Sequence, residues 1–342
     1  MTTSSTTLPA ATPAAPPGVR LDWTPLALAP LLMLLAFPLV GSPSTWLTLT
    51  IAGLAMGMII FVVSSGLTLV FGLMDVLNFG HGAFIALGAY VAASVLLPLA
   101  GWVEADSLAL NLSVFVLAIA AAMVAAGAVG LFFERVVVRP VYGQHLKQIL
   151  ITMGGMIIAE QLIKAIWGPE TIALQVPTTF RGAVLLGDAA IEKYRLIAMA
   201  LGLVIFIAML LLLNRTRIGL LIRAGVENRE MVEALGYRVR RLFVGVFVAG
   251  AALAGLGGVL WGLYQQNITA AIGAQVNVLI FIVIIIGGLG STTGCFVGAL
   301  LVGLMANYTG FLFPKVALFS NILLMMLILL WRPQGLFPVA RR

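Results

Sequence analysis

Side chains that could carry out chemistry are few in this sequence, and their spacing does not form a catalytic set. The chain has two histidines, His81 and His145, which form neither an HExxH motif nor a cluster with cysteine, so a metal centre is not expected. The glycine-rich stretch GGLGSTTG at 287–294 lacks the lysine with which a phosphate-binding loop reaches its nucleotide. We therefore predict no catalytic residue, no metal and no cofactor, and a membrane-embedded enzyme is disfavoured.

One pair of ionisable residues lies within an apolar stretch, where a charge is costly and is often functional. Glu160 and Lys164 stand four residues apart in the stretch 148–167, with Gln161 beside them. Two interpretations are open for this group. The two charges can neutralise each other across one helical turn, or Glu160 and Gln161 can line a path for a polar solute.

A second polar group interrupts the apolar sequence at FGLMDVLNFGHGAF, residues 71–84. Asp75, Asn78 and His81 can form a turn and cap a helix that begins near Ala83, with His81 at its N-terminus. They can also line a solute path, because irregular backbone at membrane depth is tolerated only where it is buried in protein or faces a cavity. The backbone expected to move or to line the path contains Asn78, His81 and Gly82 here, and Gly287, Gly288 and Gly290 in the glycine-rich stretch.

The densest polar segment spans residues 214–242 and separates two apolar stretches. It holds seven arginines and three glutamates. Within it, residues 221–235 have apolar positions at helical spacing and predict one short amphipathic helix, which Gly236 is suited to end. Such a helix at a membrane surface can dock into a groove of a soluble partner. Its apolar positions are Leu221, Ala224, Met231, Val232 and Leu235.

The composition around these residues is that of an integral membrane protein. Of the 342 residues, 62% are hydrophobic and 9% are charged, whereas soluble domains carry about 25% charged residues. The formal net charge is +7, and the basic residues lie mainly in loops between apolar stretches. Membrane topology explains this distribution, so no nucleic-acid partner is expected.

Ten apolar stretches follow one another along the chain, and some are shorter than the roughly 20 residues that a spanning helix needs. Their continuous apolar runs favour helices over the alternating pattern of an outer-membrane barrel. We predict an all-α, polytopic transmembrane helical bundle of eight to ten spans, with broken or re-entrant segments. The eighth and ninth stretches meet at GGLGSTTG, which predicts a tight hairpin or a broken, partly re-entrant helix. The stretches lie at roughly 26–40, 47–71, 83–98, 108–132, 148–167, 196–213, 243–263, 277–289, 295–313 and 316–331.

Residues 1–20 are rich in Ser, Thr, Ala and Pro, which predicts a disordered tail, and residues 21–342 then form a single transmembrane domain. The first apolar stretch, 26–40, is either an uncleaved span or a short cleaved signal peptide. With ten spans, fourteen basic residues fall on the side of segment 214–242 and four fall on the other side. The positive-inside rule therefore predicts that this segment and both termini are cytoplasmic.

Four segments, in this order, resemble motifs of the branched-chain amino acid ABC transporter permease family (LivH-like), and the resemblance covers nearly the whole chain after the tail. Residues 66–92 contain the family's Asn-Phe-small-His-Gly core at 78–82. Residues 216–236 end in Glu-Ala-Leu-Gly, which is similar to the EAA-type element through which such permeases contact an ATPase. Residues 287–303 and RPQGLF at 332–337 resemble the family's C-terminal motifs.

The resemblance implies a permease subunit of an ATP-driven importer in the cytoplasmic (inner) membrane, surrounded by lipid and without catalytic activity of its own. It implies a second, related permease, two ATP-binding subunits on the cytoplasmic loops, and a periplasmic or lipid-anchored substrate-binding protein. The chain would form half of a path for branched-chain or related amino acids, with urea or short-chain amides as the alternative substrates. The expected ATPase-coupling residues are Arg217, Gly219, Arg223, Glu227, Glu233 and Gly236.

An autonomous secondary transporter or channel, driven by an ion gradient, is the main rival. It would need a cluster of acidic residues within the membrane. The apolar stretches offer little beyond Glu160, so this alternative is disfavoured.

Overall fold

The computed structural model describes residues 24–338 apart from five side chains in that range, and its fold is an all-α bundle, as predicted. The predicted tail at 1–20 lies outside the described residues. The five side chains that are not described are those of Arg223, Val226, Glu227, Arg229 and Leu318. The helices in the described range are α1 (Thr24–Val40), α2 (Pro43–Met74), α3 (His81–Leu96), α4 (Ala100–Glu104), α5 (Leu108–Phe133), α6 (His145–Trp167), α7 (Lys193–Arg215), α8 (Arg217–Glu227), α9 (Arg229–Ala234), α10 (Val239–Gln265), α11 (Ile272–Gly287), α12 (Thr292–Leu312) and α13 (Ala317–Trp331).

Each of the ten predicted apolar stretches forms one of these helices, because a chain in lipid must satisfy its backbone hydrogen bonds internally. Six of the described helices, α2, α5, α6, α7, α10 and α12, are long and apolar enough to cross a membrane. Four apolar helices are shorter, namely α1, α3, α11 and the part of α13 at Phe319–Trp331. The short helices α3 and α11 are the ones that frame the site described below.

Helix α2 lies at the centre of the bundle and packs closely against α10 and α12. Of its apolar window, 89% is buried within the chain, against 11% for α6. Glycines make the close approach possible: a β-carbon on Gly66 of α2 would overlap the carbonyl group of Gly250 of α10. A β-carbon on Gly57 would lie 2.8 Å from the carbonyl oxygen of Ala299 in α12. The exposed apolar faces of α6, α7 and α13 are left for lipid or another subunit.

The helix ends separate into two sides. The side that contains residues 214–242, called here the arginine-rich side, also holds the end of α2 and the start of α6, where His145 Nε2 lies 3.7 Å from Asp75 Oδ2. Arg332 Nη2 donates to Thr24 Oγ1 at 3.0 Å and joins the two ends of the described chain on this side.

The opposite side carries two small β-ribbons, which are the strands of the described chain. Strand β1 (Ile172–Ala173) pairs antiparallel with β4 (Asn267–Ile268). Strands β2 (Ala183–Leu186) and β3 (Ala189–Glu192) form a hairpin whose β3 residues Ala189 and Ile191 are buried. The first ribbon ties the connection after α6 to the end of α10.

Candidate functional site

Residues 216–236 form two short helices on the arginine-rich side and are called here the coupling loop. Helix α8 starts after Thr216, whose Oγ1 accepts from the Gly219 N–H at 3.2 Å. Helix α9 starts after Asn228, whose Oδ1 accepts from the Met231 N–H at 2.9 Å. The prediction of one helix over 221–235 is therefore wrong. Asn228 has extended backbone, which ends α8. Its side chain then accepts a hydrogen bond from a free N–H group in the first turn of α9 and so caps a new helix.

Two glycines shape the coupling loop. Gly236 follows α9 with φ +86, a conformation that favours glycine, so its predicted place at the end of the helical segment is confirmed. Gly219 lies so close to α7 that a β-carbon would stand 2.6 Å from the carbonyl oxygen of Leu212. Gly219 therefore allows α8 to fold tightly back on the end of α7.

The exposed side of the coupling loop is partly apolar. Of the predicted apolar positions, Val232 is buried at 4% exposure, as is Ile222, whereas Met231 and Leu235 are 63% and 70% exposed. Leu220 is 64% exposed and belongs to the same outer surface. Among the other predicted coupling residues, Arg217, Glu233 and Gly236 are exposed and Gly219 is buried, while the side chains of Arg223 and Glu227 are not among those described.

A cavity of about 760 Å³ lies beside the coupling loop, between the end of α5 and the start of α10, and is called here the arginine cavity. A five-residue π-helical turn, Glu134–Val138, extends α5 at its edge. Such turns often occur at functional sites. The cavity is lined by Glu134, Arg135, Glu233, Tyr237, Arg238, Arg240, Arg241 and Val244.

Glu134 is a buried carboxylate that the sequence analysis missed. Its side chain is 1% exposed, and its Oε1 accepts from the Tyr142 hydroxyl at 2.7 Å. Burial, together with the neighbouring carboxylate, raises the pKa of the Tyr142 phenol, so it remains a hydrogen-bond donor. A glutamate followed by two arginines at the end of an apolar stretch, in FFERVVVR, was the available signal.

A non-helical segment, residues 75–80, separates α2 from α3. Helix α2 ends at Met74, and Asp75, with φ +53, follows it; the chain stays non-helical until α3 begins at His81. The His81 ring nitrogen Nε2 lies 3.2 Å from the carbonyl oxygen of Val63. Val63 is about 16 Å from the end of α2 along the helix axis. Helix α3 therefore begins inside the bundle and not at its edge.

The broken segment 75–80 is held by side chains of neighbouring helices. The Leu77 and Phe79 N–H groups donate to Gln148 Oε1 at 3.3 Å and to Thr152 Oγ1 at 3.0 Å. Asn277 Nδ2 donates to the Phe79 carbonyl oxygen at 2.9 Å. These contacts supply the partners that non-helical backbone needs at membrane depth. The sequence analysis missed Gln148, Thr152 and Asn277, although each is a polar residue in an apolar helix.

Two of the three polar residues predicted for this region are buried, whereas the Asp75 side chain is 46% exposed. Asn78 and His81 are each 1% exposed, and Asn78 Oδ1 accepts from the Gly80 N–H at 3.0 Å. His81 is the first residue of α3, so its predicted place at a helix N-terminus is confirmed. The helix begins two residues before Ala83, and the predicted capping is wrong, because Gly80 occupies the cap position and no described side chain caps the helix. Whether these residues line a solute path stays a prediction.

The starts of α3 and α11 meet beside α6. Gly82 and Gly273 are in such close contact that a β-carbon on either would overlap the other's carbonyl group. A cavity of about 10 Å³, lined in part by these glycines and by Glu160, lies next to them. This volume is about the minimum for one water molecule, so the contact between the two helix starts leaves almost no free space.

Glu160 and Lys164 form the predicted pair, with Nζ and Oε1 2.7 Å apart. Their side chains are 26% and 36% exposed, so the pair lies at the edge of the bundle. Gln161 is exposed on the outer face of α6 and does not line the small cavity.

The glycine-rich stretch forms a tight hairpin between α11 and α12, the first of the two predicted alternatives. Gly288 and Gly290 have φ +98 and +82, and Ser291 Oγ accepts from the Gly294 N–H at 3.1 Å to begin α12. The Phe337 N–H donates to the Gly287 carbonyl oxygen at 2.9 Å, so the C-terminal motif caps α11. A β-carbon on Gly290 would lie 2.7 Å from Gly72, near the end of α2, which places the hairpin on the arginine-rich side.

Within residues 24–338, no group of three or more His, Cys, Asp or Glu side chains is arranged to hold a metal ion. Cys295, in α12, is buried and free. The described residues thus form a broken segment that leads into the bundle and a helical loop with exposed apolar side chains on the arginine-rich side.

Comparison with known proteins identifies relatives along most of the chain. A family model described as "Branched-chain amino acid transport system / permease component" matches residues 49–331. The permease protein BraD of Pseudomonas aeruginosa, of a high-affinity branched-chain amino acid transport system, is 29% identical over 293 residues, or 83% of this chain and 93% of that protein.

Two proteins of Escherichia coli K12 with the same system name are also similar. LivH is 30% identical over 300 residues, covering 83% of this chain and 92% of LivH. LivM is 27% identical over 336 residues, covering 91% of this chain and 74% of LivM. No solved structure matches this chain.

Proposed function

Because the chain belongs to the branched-chain amino acid transport system permease family, we propose that it is one of two permease subunits in an ATP-driven importer. In this proposal the chain forms half of the path for a branched-chain or related amino acid through the inner membrane, with both termini in the cytoplasm. The similarity to both LivH and LivM supports a related second permease as its partner. Two ATPase subunits and a substrate-binding protein complete the proposed complex.

The exposed apolar surface of the coupling loop is the observation that carries the ATPase assignment. Leu220, Met231 and Leu235 are each more than 60% exposed, in a loop that also carries arginines and glutamates. Apolar side chains on a surface loop are typical of a contact with another protein. We therefore assign this surface as the ATPase contact, with Arg217, Glu233 and Gly236 exposed in the same loop.

The coupling loop is well placed to pass movement into the membrane. At its start, Gly219 packs against the end of α7. In its middle, Gly225 packs against Val239 and Phe243 at the start of α10. A displacement of the loop by a closing ATPase pair would therefore shift α7 and α10 together. Helix α10 packs on α3 through Gly258, so the shift reaches the broken segment.

We assign the gate of the path to the region where α3 and α11 begin. Transporters commonly place broken helices near the middle of the membrane, at the site that alternates in access. The close contact of Gly82 with Gly273, beside the small cavity that Glu160 also lines, supports this assignment. In the proposed cycle this contact opens to one side at a time, and the hairpin at Gly287–Gly290 forms part of the moving end of α11.

Substitution of Met231 by Asp tests the ATPase assignment. The charged side chain would be desolvated in an apolar contact, so co-purification of the ATPase subunits and ATP-dependent uptake should both fall at least tenfold, a change of about 1.4 kcal/mol. Leu185→Asp is the matched control for ATPase co-purification, because Leu185 is an apolar residue that is 73% exposed on the opposite side. If the ATPase subunits co-purify normally with the Met231→Asp variant, the exposed apolar surface of the coupling loop is not the ATPase contact.

A further inference from the structure

The arginine cavity lies where the bundle meets the membrane surface. Its walls come from the end of α5 and the start of α10, two helices long and apolar enough to cross a membrane. A cavity between the ends of two spanning helices on the arginine-rich side is where lipid headgroups are expected. The position is distinct from the exposed apolar surface of the coupling loop, although Glu233 and Tyr237 at the end of that loop contribute to one wall.

The cavity has an excess of positive charge. Four arginines and two glutamates line it. Within residues 24–338 with described side chains, none of these four arginines forms a salt bridge, and all four are exposed. The guanidinium group binds phosphate oxygens in a bidentate manner and is weakly hydrated, so several arginines facing one cavity favour a phosphate-bearing ligand. The four are Arg135, Arg238, Arg240 and Arg241.

An exposed apolar strip leads from the membrane to the cavity. On α5 and its π-helical extension, Phe132 and Val136 flank Arg135 and are 62% and 54% exposed. Val129, one turn earlier, is 43% exposed. A ligand that combines a phosphate with hydrocarbon chains would contact both features at once. A soluble anion would use only the arginines and would leave the strip uncovered.

We propose that the arginine cavity binds the phosphate headgroup of an anionic phospholipid from the adjacent leaflet, with its acyl chains on the α5 strip. Basic pockets between helices at the cytoplasmic surface are known to select such headgroups. The bound lipid would sit against the first turn of α10, beside the coupling loop, and would stabilise the position of that turn. The site is separate from the gate and does not depend on the identity of the transported substrate.

The test is a titration of the purified full-length chain in detergent with phosphatidylglycerol, counting bound lipid by native mass spectrometry. The double variant Arg240→Gln/Arg241→Gln should weaken binding about 25-fold, because one arginine near an anionic membrane surface contributes roughly fivefold. The matched control is Arg215→Gln/Arg217→Gln, which removes the same charge from exposed positions outside the cavity. It should change binding less than threefold. Phosphatidylcholine should bind the unaltered chain much more weakly than phosphatidylglycerol.

Three results would overturn the proposal. Equal loss of binding in both double variants would mean that general surface charge attracts the lipid. Complete displacement of phosphatidylglycerol by millimolar inorganic phosphate would mean that the cavity takes a free anion. Finally, loss of the lipid from the complete complex, but not from the isolated chain, would assign the cavity to an ATPase subunit. Thermal unfolding without lipid checks that the arginine variants keep their fold. Arg240→Lys, which keeps the charge but loses the bidentate geometry, should bind less tightly than the unaltered chain and more tightly than Arg240→Gln.

Discussion

The hydrogen bond from the Phe79 N–H to Thr152 gives the sharpest test of what holds the broken segment 75–80 in place. Thr152 is fully buried, and its Oγ1 accepts from the Phe79 N–H at 3.0 Å while donating to the Gln148 carbonyl oxygen at 2.6 Å. Valine has nearly the same shape, so Thr152→Val keeps the packing and removes the acceptor. The Phe79 N–H would then be buried without a partner, which costs about 1–3 kcal/mol.

The assay is the free energy of unfolding in mixed micelles of denaturing and mild detergent. Thr48→Val is the matched control, because the Thr48 hydroxyl donates only to the Ser44 carbonyl oxygen of its own helix. We expect a loss of about 1–3 kcal/mol for Thr152→Val and of at most about 0.5 kcal/mol for Thr48→Val. Equal stability of the two variants would show that the broken segment does not depend on Thr152, and the account of the break would fail.

Three further predictions concern packing, the ion pair and the coupling loop. Gly66→Ala should sharply lower the yield of folded protein, because its β-carbon overlaps α10, whereas Gly154→Ala, with open space around it, should not; size-exclusion chromatography compares them. Lys164→Met should slow substrate uptake into vesicles, because it leaves Glu160 unpaired. The double variant Lys164→Met/Glu160→Gln should recover part of the uptake rate, and no recovery would argue against a role for the ion pair. Glu233→Arg should lower ATPase co-purification while membrane insertion stays normal, and unchanged co-purification would remove Glu233 from the contact.

Apolar patterning predicted the helices well because each apolar stretch is a local property of the chain. All ten stretches form helices, and the short α3 and α11 are among them. The error within the coupling loop is local too. An apolar stripe over 221–235 favours one continuous helix, and the prediction followed this stripe. Asn228, in the middle of it, has a side chain that can cap a new helix, and in the structure it does so.

The contacts at the break could not be predicted because their partners are distant in sequence. Gln148 accepts a hydrogen bond from Leu77, which is 71 residues away, and Thr152 accepts one from Phe79, which is 73 residues away. Asn277 is 198 residues from Phe79. The sequence indicates that irregular backbone at 75–80 needs partners, but not which helices supply them. Glu134 was missed for a related reason, since its burial depends on how α5 and α10 pack at the arginine-rich side.

Reconstitution in vesicles tests the central claim most directly. The chain is incorporated with its related permease and two ATPase subunits, and the substrate-binding protein is supplied with a labelled branched-chain amino acid. The account predicts accumulation that requires ATP and the binding protein, and no accumulation by this chain alone under a proton or sodium gradient. Gradient-driven accumulation by the isolated chain would contradict it.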